Sequence, residues 1–265
     1  MIPIKGSAPN PRTAWVTLWL ITANALAFAY QVSLSAPELE SVIRTWGFVP
    51  REFWTVVGSA PWSVEEWLAP IISSMFLHGS WGHIIGNMLF LWVFGDGIEN
   101  RIGSIRFLVF YLVVGTAAMM AHAFFGPGTT VPTIGASGAI AGVLGAYLLL
   151  YPTAWIVILV PIIIYPLFFR VPAILFLGFW FIQQIFFGTV ASMGAVSTAQ
   201  GGVAWWAHAG GFVAGVVLIK LFCIGREPPE DNNALSQLEQ MRRDEQQNRW
   251  RNDDRPRLER RDDIF

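Results

Sequence analysis

The sequence predicts an all-α polytopic membrane protein, and three observations predict it. Apolar residues make up 54% of the chain, aromatics 14% and charged residues only 13%, a balance that a water-soluble globule does not carry. The charges are segregated. Between Arg106 and Lys220 only Arg170 interrupts, whereas the stretch from Arg226 onward holds nine Arg and eleven Asp or Glu. Six apolar runs, at about 14–33, 82–98, 105–125, 136–151, 172–189 and 203–222, have the composition of membrane helices. Several fall short of the roughly 20 residues that a full span needs, so local thinning of the bilayer or a water-filled dip is expected around them.

Residues 1–13, with Lys5 and Arg12, read as a cytoplasmic N-terminus ahead of a membrane domain over 14–225. The first apolar run is too long for a signal h-region and lacks a clear cleavage site, so it is read as an uncleaved span. Residues 34–80 mix Glu38, Glu40, Arg44, Arg51, Glu52, Glu65 and Glu66 with Trp46, Trp54, Trp62 and Trp67. That mixture suits short helices lying in the membrane interface. The segment 154–169 is apolar, but Pro161 and Pro166 and its many Ile and Val residues make it a poor helix; it is expected to be interfacial or partly buried, not spanning. Residues 226–265 read as a charged, largely disordered cytoplasmic tail with a short helix over 233–249.

With six spans, Lys5, Arg12, Arg101, Arg106, Arg170, Lys220 and Arg226 all fall on one side, and the loops 126–134 and 190–202 opposite them carry no charge. Both termini are therefore assigned to the cytoplasm. The net charge of −1 averages two unlike regions, and no nucleic-acid partner is expected. The single Cys223 excludes an intrachain disulfide and a thiolate metal cluster. No metal or cofactor is expected.

The chemistry centres on residues 133–147, where Ser137 stands at the mouth of a helix of small residues. Gly138, Gly142 and Ala146 recur every four residues, as do Ala141 and Gly145, so neighbouring backbones can approach closely. A serine among glycines is ordinarily a packing residue; what changes its reading is depth. His83 and Asn87 lie one turn apart in the outer half of the second span, and His208 lies early in the sixth, all at the level of Ser137. His208, Gly211 and Gly215 form one stripe. A glycine stripe against the stripe of the fourth span would bring His208 to the Ser137 hydroxyl, and a serine needs such a base to act as a nucleophile. No Asp or Glu occurs between residues 100 and 226, so the chemistry would be a Ser–His dyad. The Ser137 N–H at a helix N-terminus, the Asn87 amide and the His83 imidazole can supply oxyanion donors. His122, near the outer end of the third span, is read as interfacial.

These residues resemble the rhomboid intramembrane serine proteases over roughly 70–222. The matching stretches are 76–87, with His78, His83 and Asn87; 95–103, with Glu99 and Arg101; 135–138, Gly-Ala-Ser-Gly; and 207–215, with His208. The resemblance implies a six-transmembrane-helix bundle, Ser137 as nucleophile, His208 as base and then acid, and His83, Asn87 and the Ser137 amide as oxyanion hole. It also implies single-span transmembrane protein substrates in the lipid bilayer, cut in or near their span; the bacterial inner membrane is the expected location. His78 matches a structural loop position, and Glu99 with Arg101 a cytoplasmic-side packing motif. Some members place an aromatic residue one turn after the serine, against the histidine. Here that position is Ala141, so Trp205 or Trp206 is expected to steady the ring. Many also carry a Trp-Arg pair in the first loop, and this loop has none.

Substrate entry is expected at the fifth span, framed by Pro172 and the small-residue loop 188–202. Its Phe176, Phe179 and Trp180 would form a plug that tilts without breaking polar contacts. The alternative is a catalytically inactive rhomboid-like protein that binds membrane clients; such proteins typically lack the Ser or the His, and both are present. A transporter would want ionisable groups through the full depth of the membrane, and in the inner half of the spans they occur only at the cytoplasmic ends, at Asp96, Arg106 and Lys220.

Overall fold

The computed structural model describes residues 2–162, 165–193 and 203–228. The expected helix over 233–249 and most of the loop 188–202 lie outside them. Among the described residues, nine helices and three strands follow in the order β1 Ile2–Gly6, α1 Trp15–Ser33, α2 Ala36–Trp46, α3 Pro50–Ser59, α4 Val64–Ser74, α5 Trp81–Ile102, α6 Ser104–Phe125, α7 Ser137–Leu150, β2 Trp155–Ile162, β3 Tyr165–Pro172, α8 Ala173–Ser192 and α9 Trp205–Phe222. The protein is a multi-pass helical membrane bundle. Helices α1, α6, α8 and α9 are long and apolar enough to cross a membrane, and α7 is a shorter apolar helix. At 14 residues, α7 is about 21 Å long against a hydrocarbon core of about 30 Å. Helix α5 spans 22 residues and carries Asp96, Glu99 and Arg101 in its last two turns.

The all-α expectation is corrected by an antiparallel sheet in the order β1-β2-β3. Segment 154–169 supplies most of its hairpin. Pro161 is paired with Pro166; neither has an N–H to donate, so the pair fits only a non-hydrogen-bonded position of the ladder. The prolines that spoil a helix are thus compatible with a hairpin, which returns the chain to the side it left. The chain enters the sheet beyond the C-terminal end of α7 and leaves it directly into α8.

The first residues are pinned, not free. Beyond β1, the Ala8 N–H donates to the Tyr147 hydroxyl at 3.3 Å, Asn10 donates to Asp96 at 2.7 Å, and Asn100 brackets the backbone of Arg12. Helix α1 starts with no side-chain cap of its own. Its orphan donors are met by the buried Glu99 carboxylate, which accepts from the Val16 and Thr17 N–H groups, the Thr17 hydroxyl and the Ser104 hydroxyl at 2.6–3.0 Å. An anion at a helix N-terminus is also favoured by the helix dipole. Arg106 does the converse for α9, donating to the carbonyls of its last residue, Phe222, and of Ile224 just beyond it.

The segment 34–80 contains the short helices α2, α3 and α4. It is bonded to the segment that leads into α7, where Phe48 and Thr133 exchange backbone hydrogen bonds, and to α6, where Trp54 donates to the Ala123 carbonyl at 2.9 Å.

The interior is organised by α7 against α9. A Cβ placed on Gly211 would run into the Gly138 carbonyl, one on Gly215 into the Gly142 carbonyl, and one on Gly145 into the Phe212 backbone. The two glycine stripes do face each other, at backbone contact. Gly138 meets Gly211 and Gly142 meets Gly215, so the contact advances in the same direction along both helices. Helices α7 and α9 are therefore parallel, with Ser137 and His208 at the same end.

Candidate active site

Ser137 opens α7 and His208 lies in the first turn of α9, and the glycine contact brings them together. The Ser137 Oγ is 2.7 Å from His208 Nε2. On the far side of the ring, His208 Nδ1 is 2.8 Å from Gln184 Oε1. Gln184 sits on α8, and its amide nitrogen donates to the Trp180 carbonyl at 3.1 Å. That bond commits the amide oxygen to face the imidazole, where it can only accept. Nδ1 therefore carries the proton, and Nε2 presents its lone pair to the serine hydroxyl. This is the tautomer a general base needs. Gln184 itself is buried.

Two aromatic rings hold the imidazole from the sides. Trp180 lies 5.8 Å from it, tilted by 33°, and Trp205 lies 6.4 Å away, edge-on. Of the two tryptophans expected to steady His208, Trp205 does so. Trp206 instead stacks on Phe125 at 4.1 Å and donates to the Ser192 hydroxyl, and Trp180 of α8 supplies the second ring.

His83 and Asn87 gather around Gly135, two residues before the serine. Gly135 has φ +126°, and a Cβ there would lie 2.7 Å from the His83 ring and 3.6 Å from Asn87 Nδ2. Only glycine suits this position, on both backbone and steric grounds. Its N–H donates to the Ser74 carbonyl at 2.8 Å. The N–H groups of the first turn of α7 have no acceptor within the helix and no side-chain cap, which leaves donors beside the serine.

His78 is part of this architecture. Asn87 Nδ2 lies 3.0 Å from His78 Nε2, and Gln31 of α1 clamps the His78 backbone, accepting from its N–H and donating to its carbonyl. Burial, with a smaller contribution from His83, pushes the His78 imidazole down to about 4. It is neutral at physiological pH, so Nε2 can accept from the Asn87 amide. Asn87 keeps a second N–H for another partner. His122 bonds Thr133 at 3.0 Å and so ties α6 to the segment leading to Ser137.

The three aromatic residues expected to plug the fifth span differ in placement. Phe176 is buried and stacks on Phe90 and Phe94 of α5, Trp180 faces His208, and Phe179 is exposed. The expectation that this helix tilts without breaking polar contacts is corrected by the Gln184–His208 hydrogen bond. Sequence reasoning missed Gln184. Its signal was available: a polar residue one turn beyond Trp180, on the same helix face, inside a span.

A helical membrane bundle that holds a Ser–His pair between two parallel helices is what the fold and this site define. The chain belongs to the rhomboid family, whose Rhomboid domain matches residues 65–225. It is 30% identical over 155 residues to Rhomboid-like protein 11, chloroplastic, of Arabidopsis thaliana, covering 57% of this chain and 51% of that one. To Rhomboid protease GluP of Bacillus subtilis it is 43% identical over 86 residues, 31% of this chain and 16% of that one. To Rhomboid protease AarA of Providencia stuartii it is 30% identical over 146 residues, 49% of each chain. In each case the chain spans about half or less of the relative's length.

Proposed function

We propose that the protein is an intramembrane serine endopeptidase that cleaves single-span transmembrane proteins in or near their span. The observation that carries this is the 2.7 Å approach of His208 Nε2 to Ser137 Oγ, with Nδ1 held by Gln184. In this reading the Ser137 oxygen attacks the scissile carbonyl carbon and His208 Nε2 takes its proton. The resulting oxyanion is met by the Ser137 N–H, the His83 imidazole and the free Asn87 N–H. Collapse breaks the C–N bond as His208 returns the proton to the leaving amine. A water deprotonated by the same nitrogen then hydrolyses the acyl-enzyme. The protease names of GluP and AarA support the reading.

The same proposal has six spans, α1, α5, α6, α7, α8 and α9, and both termini in the cytoplasm. The parallel course of α7 and α9 supports it, because the hairpin then stays on one side while α8 crosses back. Its membrane domain runs over 14–225, between the cytoplasmic residues 1–13 and the tail 226–265. A bacterial inner-membrane location belongs to the same proposal; two of the relatives are bacterial and another is chloroplastic. Substrates enter past α8, where Phe176, Phe179 and Trp180 line the way. The test is to reconstitute the protein in liposomes with a labelled single-span substrate. Wild type should yield two fragments with a cut inside or beside the span, and Ser137→Ala none. Equal cleavage by both would end the proposal, and no cleavage by either would favour an inactive rhomboid-like binder.

A further inference from the structure

Helix α8 combines two features that its place in the bundle does not require. It packs on α9 through an aromatic seam: Phe181 stacks on Phe212 at 4.5 Å, Phe187 on Trp205 at 5.0 Å, and Trp180 lies against both His208 and Phe212. Such a seam holds by dispersion and area, without directional bonds, and can separate and re-form. Through the middle of it runs the Gln184–His208 hydrogen bond. A glutamine buried in a span is costly unless satisfied; its N–H bonds to Trp180 within α8, but its oxygen has its imidazole partner only while α8 is seated on α9.

We propose that Gln184 is a positioning residue that makes the dyad competent only when α8 is seated. This rests on the protease reading of Ser137 and His208. With α8 in place, the amide oxygen holds the Nδ1 proton and Trp180 holds the ring plane, so Nε2 faces the serine. When α8 leans outward to admit a substrate helix, the same movement withdraws both restraints, and the imidazole is free to rotate away or change tautomer. The base is armed again when α8 closes behind the substrate. A neutral amide does this without the desolvation cost of a carboxylate, which the chain does not place anywhere between residues 100 and 226.

The test separates base orientation from substrate entry. A small fluorophosphonate reacts with an activated serine, forming an Oγ–P bond as fluoride leaves, and needs no opening wide enough for a helix. Its rate of attachment to Ser137 is measured against pH in wild type, Gln184→Met and Gln184→Glu, alongside kcat and KM for a transmembrane substrate. Among the described residues, the titratable groups near enough to act on His208 are His83 on α5 and His122 on α6, and they are the same in all three proteins. Gln184→Met should label about 10- to 100-fold more slowly, with the loss in kcat and not in KM. Gln184→Glu should restore labelling and move the acid limb of its pH profile upward by about one unit, because a carboxylate on Nδ1 favours the imidazolium. Unchanged rate and profile in both variants would overturn the role of Gln184. So would a Gln184→Met protein that loses only thermal stability. Absence of labelling in wild type would overturn the serine-protease reading beneath it.

Discussion

Substituting Gly211 by Ala adds one methyl group at the contact that sets the Ser137–His208 distance. Gly211 is one turn beyond His208, and its Cβ would fall inside contact distance of the Gly138 carbonyl oxygen and 3.1 Å from the carbonyl carbon. The obstacle is backbone, so no side chain can swing aside. Retreat toward α6 is closed as well, because the Ala118 Cβ lies 3.2 Å from the same point. Restoring ordinary contact requires α7 and α9 to part by about 1 Å. The 2.7 Å Oγ–Nε2 separation would then stretch to about 3.7 Å, beyond hydrogen-bond range. A displacement of that size costs on the order of 10²-fold in rate, and the overpacked interface loses about 1–3 kcal/mol of stability. The assay is cleavage of a labelled transmembrane substrate, with the detergent melting midpoint measured in parallel. Gly178→Ala on α8 is the control, since nothing lies within 4 Å of a Cβ there, and it should keep both activity and stability. A Gly211→Ala protein that cleaves at the wild-type rate would refute the claim that the glycine contact sets the dyad geometry.

Other consequences are as direct. Asn87→Ala should lower the cleavage rate by about 10²–10³ while leaving the Ser137–His208 pair reactive, if its amide is a principal oxyanion donor; the measurement is kcat/KM beside fluorophosphonate labelling. Glu99→Gln leaves four donors around α1 and Ser104 with a weaker and partly mismatched acceptor, so thermal stability should fall by about 2–4 kcal/mol with little change in kcat for the surviving protein. His78 ionises near 6.5 in an unfolded chain and near 4 when folded. Between those values the unfolded state holds more protons, so stability rises from pH 4 to 6.5 and is flat above. The contribution is at most about 3 kcal/mol. His78→Gln should remove it, seen as a shallower fall of the melting midpoint on acidification.

What the sequence made legible were features whose cause is local. The four-residue spacing of Gly138 and Gly142, and of Gly211 and Gly215, carried the helix contact, because small residues repeat where backbones must meet. The depth of Ser137 and His208 carried their meeting. The prolines at 161 and 166 excluded a helix but did not reveal a hairpin. Strand β1 pairs with a segment about 150 residues away, and a stretch as short as Ile2–Gly6 has no periodicity of its own. Gln184 was hidden for a related reason. Its importance depends on which face of α8 turns toward His208, and an almost wholly apolar helix carries little amphipathic signal to fix its rotation. The reach of Glu99 to the start of α1 was likewise invisible, since α1 begins without a capping residue and its partner lies more than 80 positions downstream.

The central claim is that His208 makes Ser137 a nucleophile. The most direct measurement is peptide mapping of the fluorophosphonate adduct, with its rate of formation, in wild type and His208→Ala. One adduct on the Ser137 peptide, forming at least about 10²-fold more slowly without His208, is the result expected. An adduct on another residue, or equal rates in the two proteins, would contradict the claim.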